Sequence, residues 1–355
     1  MADLKLRDRD AIVTKDNMIF RVFGYAHPRD AYVCDLEYAP AAVFRSDNPK
    51  ALRGDKGNVF YKFYDDEGWK LIQNRSRQYM VFHEMLQKNV AGVKLPDIAE
   101  VRKPDETLKS VLERRDKDGL LKALQKVLSF SVERSRLLVK DFGVFGSVLQ
   151  GFHHPKFSDI DLIVYGEKNA SVLRETLGDV YEERDSPLKN EFQTNMAIAG
   201  KKWRFRNLSA QEFLEHQRRK LIYAIFKDYD SGRVIKTEFE PVKNWSEIQE
   251  EYDPEGRIVQ KGWVKMIARI VNDKEGLFMP SSYTIEPLTV LDGSRSAIEA
   301  RQIISYMEEF RIQAFRDEKV YVEGNLEEVS SSKGTYLQIA LTYCPRYYEQ
   351  VMKVV

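Results

Sequence analysis

The segment FGSVLQGFHHPKFSDIDLIVYG, from Phe145 to Gly166, constrains this chain more than any other stretch. A Gly-Ser pair, Gly146-Ser147, is followed twelve residues after the serine by two aspartates, Asp159 and Asp161, flanking one isoleucine. The run SDIDLIVYG has the apolar, β-branched character of a buried strand, a setting that carboxylates ordinarily avoid. Residues two apart in a strand project to the same face, so Asp159 and Asp161 point together while Ile160 and Leu162 pack on the other side. Carboxylates about 7 Å apart along a strand repel each other unless a cation lies between their heads. Two Mg2+ ions about 3.5–4 Å apart, with Mn2+ as the alternative, would supply that charge and create an in-line phosphoryl-transfer site. Gly146 lets the backbone approach a phosphate closely, and the Ser147 hydroxyl with nearby N–H groups offers donors to its oxygens.

The rest of the chain must build a scaffold for that segment, and it has the means. It has 355 residues, 43% of them hydrophobic, enough for two or three domains with a substantial core. Lys+Arg 56 against Asp+Glu 55 leaves a formal charge of +1, so attraction of a polyanion must rest on local patches. Cys34 and Cys344 lie far apart in apolar sequence and are expected as buried thiols. The opening MADLKLRDRD lacks the apolar core of a secretion signal, and no apolar run is long enough to span a bilayer. The expected compartment is a reducing cytoplasm.

Read along the chain, the pattern is α+β and multidomain: a central mixed β-sheet with helices, flanked by two β-rich modules. Residues 1–75 carry short Val, Phe and Tyr runs separated by turn residues and form an N-terminal β-rich module. Residues 76–104 read as helix and connector, with helical pattern from Gly68 to about Asn89 and the two-proline stretch VAGVKLPDIAEVRKP after it. Residues 105–243 form the central domain. It opens with two helices broken at Gly119 and has a further helix over KNASVLRETLGD, capped by Asn169 or Ser171. A hairpin over NMAIAGKKWRFRNL, a long helix over SAQEFLEHQRRKLIYAIFKDY and a strand over SGRVIKTEFEPV follow. Residues 244–355 are again β-rich, interrupted by one helix over RSAIEARQIISYMEEF. The two ends echo each other, MIFRV from Met18 with MIARI from Met266 and YVCDLEY from Tyr32 with YVEGNLEE from Tyr321, which suggests a duplicated β-module.

Gly146-Ser147 followed by Asp159-Ile160-Asp161 resembles the signature of the DNA polymerase β-type nucleotidyltransferase superfamily. The whole chain, with RDRDAIVTKDNMIFRVFGYAHPRD near its start, is similar to a group of archaeal predicted nucleotidyltransferases. The resemblance implies that the Gly-Ser turn holds the triphosphate of an NTP. It implies that the paired acids bind two metal ions, and that a third acid on a neighbouring strand binds the catalytic ion and activates the attacking hydroxyl. In RVIKTEFEPV, Glu238 and Glu240 share one face with Lys236; Glu238, between Thr237 and Phe239, is the first choice and Glu240 the alternative. A glutamate there departs from the aspartate usual in that superfamily.

Remaining candidates cluster around this motif. His153 and His154 lie in the loop where the superfamily places nucleotide contacts, and Lys220 is a candidate for the γ-phosphate. Lys202, Arg204 and Arg206 alternate with Trp203 and Phe205. Ten basic residues stand against four acidic ones between Lys201 and Lys236, a patch suited to a triphosphate or an RNA backbone. The absence of G-x-x-x-x-G-K-[ST], of a nucleophile elbow and of zinc spacing sets other chemistries aside. The leading expectation is an Mg2+-dependent enzyme moving a nucleoside monophosphate from an NTP to an acceptor hydroxyl, with an RNA 3′ end favoured. The rival is a non-catalytic nucleotide-sensing or RNA-binding protein with a degenerate site.

Overall fold

The structure is a computed structural model that describes residues 4–54, 59–199, 202–342 and 346–355. Its contacts divide into two compact units. The first comprises Met1–His83, Lys88–Leu188 and Ala224–Tyr252; the second comprises Glu84–Gln87, Lys189–Tyr223 and Asp253–Val355.

The first unit begins with an eight-stranded sheet made of β1 (Ala11–Thr14), β2 (Ile19–Val22), β3 (Ala31–Pro40), β4 (Leu52–Arg53), β5 (Phe60–Lys62), β6 (Met80–His83), β7 (Lys88–Lys94) and β8 (Ile98–Arg102). The order is β4-β5-β3-β2-β1-β8, with β7 pairing to β3 and to β6. Strand β3 shows why the chain is extended here: Tyr32, Cys34, Leu36 and Tyr38 are buried at a period of two. The helix expected from Gly68 is confined to α1 (Glu67–Arg75), and the stretch expected as connector supplies β7 and β8. Its prolines stand between elements. Pro96 lies in a 3-10 turn between the two strands, and Pro104 occupies the first turn of the next helix, where a missing N–H costs nothing. Cys34 is buried with a free thiol, whereas Cys344 lies outside the described residues.

Continuing in the same unit, α2 (Pro104–Glu113) and α3 (Gly119–Ser135) are separated by a break that Gly119 closes. Asp118 caps α3, accepting the Leu121 N–H at 3.0 Å. Next come β9 (Phe142–Val144), the short α4 (Gly146–Leu149), β10 (Ile160–Tyr165) and α5 (Glu167–Glu182). Helix α5 starts behind Gly166, earlier than Asn169 or Ser171 would have set it; the Asn169 side chain instead donates to the Tyr165 carbonyl at 2.8 Å. After β11 (Leu188–Asn190), where the chain leaves this unit, it returns as β12 (Tyr223–Asp228) and β13 (Arg233–Val242). β10 is flanked by β13, parallel, and β9, antiparallel.

In the second unit, α6 (Ala210–Lys220) opens with a capping box between Ser209 and Glu212 and ends where Leu221 turns left-handed, φ 55°. The long helix expected over 209–229 therefore stops at Lys220, and the β-prone YAIF that follows enters β12. In place of the hairpin expected over 195–208 stands a 3-10 turn, Asn195–Ile198, and residues 202–208 are neither helix nor strand. Strands β14 (Arg257–Asn272), β15 (Ser281–Asp292), β16 (Ala300–Ser305), β17 (Lys319–Ser331), β18 (Gly334–Leu341) and β19 (Val351–Val354) form one sheet. Because β14 pairs with both β15 and β17, that sheet closes into a barrel around Val264, Met266, Ile270, Val322 and Leu341. The helix expected from Arg295 is replaced by two 3-10 turns, Arg295–Glu299 and Glu308–Phe310, on either side of β16. The strands that carry the sequence echo are antiparallel neighbours in each sheet, β2 with β3 and β14 with β17.

Candidate active site

The site grows from the beginning of β10. Strand β9 sets Val144 opposite Leu162, and the N–H of Phe145 donates to the Asp161 carbonyl at 2.9 Å. The chain then turns at Gly146, whose φ of 64° is left-handed. A Cβ at this position would lie 2.1 Å from Asp161 Oδ2. Turn and carboxylate are thus in direct contact, and only glycine leaves room for it. Ser147 is buried and donates to Ser158 Oγ at 3.1 Å; the same oxygen accepts the His154 N–H at 2.8 Å. From the start of β13, Arg233 donates to the carbonyls of Pro155 and, at 3.4 Å, Ser158. The loop joining turn to aspartates is braced from both sides.

Asp159 is exposed, one residue ahead of β10, and Asp161 is half-buried two residues further on. The parallel register sets Asp161 beside Glu238 and Ile163 beside Glu240. Lateral neighbours in a sheet share a face, so Glu238 is the acid flanking Asp161. Glu240 lies deeper and is engaged elsewhere, since its buried carboxylate accepts from Arg9 Nη2 at 2.9 Å. Arg9 belongs to the buried run Arg7-Asp8-Arg9-Asp10. Arg7 of that run donates to the Lys243 carbonyl at 3.2 Å and lies 3.7 Å over the Tyr165 ring.

The electrostatics follow from this crowding. The Asp161 carboxyl is pushed from 3.8 to about 7, chiefly by burial, with Lys62 pulling it down and Asp159, Glu240 and Glu37 pushing it up. Negative charge is in excess. Among the described residues, no three His, Cys, Asp or Glu side chains stand close enough to hold a metal ion by themselves. Mg2+ characteristically takes one or two carboxylates, keeps waters and draws further oxygens from substrate phosphates. Asp159 and Asp161 offer that donor set, and an acid half-buried among other acids is the environment a divalent cation relieves. The residues present fit the ion.

The remaining candidates are placed as follows. His153 Nε2 pairs with Asp118 Oδ2 at 2.9 Å and ties the loop to the cap of α3. Lys220 is fully buried in the second unit and donates to the Glu309 carbonyl at 2.7 Å, so the expectation that it reaches a γ-phosphate is corrected. Lys202, Arg204 and Arg206 alternate with half-buried Trp203 and Phe205 as expected, but in irregular chain and not in a strand. Arg204 donates to the Tyr348 hydroxyl at 2.8 Å, and Arg206 pairs with Glu349 at 3.0 Å. Sequence reasoning missed Arg9, Arg233 and Lys62. Only the RDRD run carried a local signal, since four alternating charges ahead of an apolar strand ask for buried partners.

A Gly-Ser turn pressed against acids on a central strand defines a class, and comparison with known families agrees. Residues 124–229 match the family model described as nucleotidyltransferase domain, so the chain carries such a domain. Over its whole length the chain is also similar to an uncharacterized protein of Methanocaldococcus jannaschii, 26% identical over 359 residues covering 99% of each chain. No solved structure matches the chain significantly. Among the described residues, no helix is long and apolar enough to cross a membrane.

Proposed function

We propose that the protein transfers a nucleoside monophosphate from an NTP to an acceptor hydroxyl and releases pyrophosphate. The observation that supports this reading is the close approach of the Gly146 turn to Asp161 Oδ2. Asp159 and Asp161 would hold Mg2+, which would neutralise the phosphates and acidify the acceptor hydroxyl. Gly146 and Ser147 position the triphosphate, with the Ser147 hydroxyl fixed through Ser158. Glu238 takes the proton of the acceptor hydroxyl as its oxygen bonds to the α-phosphorus and the bond to pyrophosphate breaks. Among acceptors, an RNA 3′ hydroxyl is supported by exposed Lys202, Arg204 and Arg206. Together with Trp203, Phe205, Tyr321 and Lys353, Arg206 belongs to the lining of an open groove of about 700 Å3.

The test is incubation with each α-labelled NTP, Mg2+ and fractionated cellular RNA or protein, in wild type and Asp161→Asn. Label entering the RNA fraction with wild type alone is the expected result. Label in another fraction would move the acceptor, and equal labelling by Asp161→Asn would refute the site. Nucleotide binding without any transfer would favour the sensing role.

A further inference from the structure

Two cations, Arg53 and Lys62, stand on one face of the N-terminal sheet. Strand β5 runs antiparallel to β3 with Lys62 opposite Tyr38, and β4 pairs with it so that Arg53 lies opposite Phe60. Paired residues, and residues two apart, share a face. Tyr38, Arg53, Phe60 and Lys62 therefore project together. That face rests on the chain just beyond the Gly-Ser turn. The Tyr38 and Phe60 rings lie 4.9 Å and 5.4 Å from the Phe152 ring, and with Leu149 they form one buried cluster.

The packing sets both cations beside the Gly-Ser turn: Tyr38, which pairs with Lys62, and Phe60, which pairs with Arg53, rest on Leu149 and Phe152, two and five residues beyond Ser147. Among the described residues, neither cation is paired with an acid. Lys62 makes no ion pair among the described residues, its ammonium lying 5.9 Å over the Tyr64 ring. Arg53 Nη1 is held by the carbonyls of Lys50 and Leu52 at 2.6 Å and 2.9 Å, while its buried Nε has no partner. A guanidinium held by backbone carbonyls and an ammonium on the same face suit an extended polyanion: the first supplies directional donors, the second a point charge.

We propose that Lys62 and Arg53 bind the polyphosphate of the NTP, so that the active site is shared between the N-terminal sheet and the nucleotidyltransferase domain. This rests on the nucleotidyl-transfer reading for the identity of the ligand. It extends the working unit well upstream of residues 124–229, the part that matches the family model.

The test uses the full chain and inorganic tripolyphosphate with Mg2+, which removes the unknown base from the question. Affinity is measured by calorimetry for wild type, Lys62→Ala, Lys62→Arg, Arg53→Ala and the control Lys70→Ala, an exposed lysine paired with Asp66. Loss of one charge-assisted contact should weaken binding about ten- to hundredfold in Lys62→Ala and Arg53→Ala. Lys62→Arg should recover most of the affinity, and Lys70→Ala should match wild type. A merely structural counter-ion would lower the melting temperature and leave this affinity alone. Unchanged affinity in both alanine variants overturns the proposal even where Asp161→Asn abolishes transfer. Weakened affinity alongside normal transfer by Asp161→Asn upholds the polyphosphate site and overturns the transfer mechanism instead.

Discussion

Replacing Gly146 by alanine tests the turn directly. The added Cβ would stand 2.1 Å from Asp161 Oδ2, where ordinary contacts begin at 3.4 Å, so the carboxylate must retreat by about 1.3 Å. The residue must also hold a φ of 64°, which costs an L-amino acid roughly 1–2 kcal/mol. That strain alone should lower the melting temperature by roughly 2–8 °C in a unit of this size. Displacement of a reacting group by about an ångström costs on the order of a hundredfold in rate. Gly151→Ala is the matched control: its φ is 75°, yet nothing lies within 4 Å of the new Cβ. Both variants should therefore lose similar stability, while only Gly146→Ala loses transfer, measured as label moved from an α-labelled NTP. Full turnover by Gly146→Ala, or equal loss in both variants, would refute the claim that the turn and Asp161 form one site.

Three further outcomes follow from the same geometry. Asp161 titrates at about 7 in the fold against 3.8 when free, so the metal-free native state binds the extra proton between those values and loses stability as pH rises through that window. The stability of Asp161→Asn relative to wild type should grow from pH 4 to pH 7, by about 4 kcal/mol at most. A flat difference in melting temperature over that range would contradict it. Arg9→Met should cost about 3–5 kcal/mol by leaving Glu240 charged, buried and unmatched by Arg9. Chemical denaturation should show most of that recovered in Arg9→Met/Glu240→Leu. Glu238→Gln should reduce transfer by about 10²–10⁴-fold with little change in unfolding midpoint, as expected for a general base. Glu240→Gln should do the reverse, and steady-state rates paired with melts will separate them.

The Gly-Ser turn with its paired aspartates was legible because its logic is local. A turn glycine, a strand with period two and a pair of acids two residues apart each state their geometry within a few residues. The third acid was narrowed to Glu238 or Glu240 by the same alternation, and it took the parallel register of β10 and β13 to set one beside Asp161 and the other beside Ile163. Errors fell where apolar spacing serves helix and strand alike. RQIIS and MVFH satisfy both periods over so few residues, and pairing with β15 and β18, or with β7, decided them.

By itself, then, the sequence determined a strand bearing acids beside a glycine turn, since backbone sterics and side-chain parity act between near neighbours. It could not say where a long cation ends. Lys220 looks available on an amphipathic helix, yet folding aims it at the carbonyl of Glu309, some ninety residues on. Lys62 looks like any strand lysine, and folding sets it within reach of Asp161's charge. Charge acts through space, and only packing such as that of Tyr38 and Phe60 on Phe152 fixes which distant groups share that space.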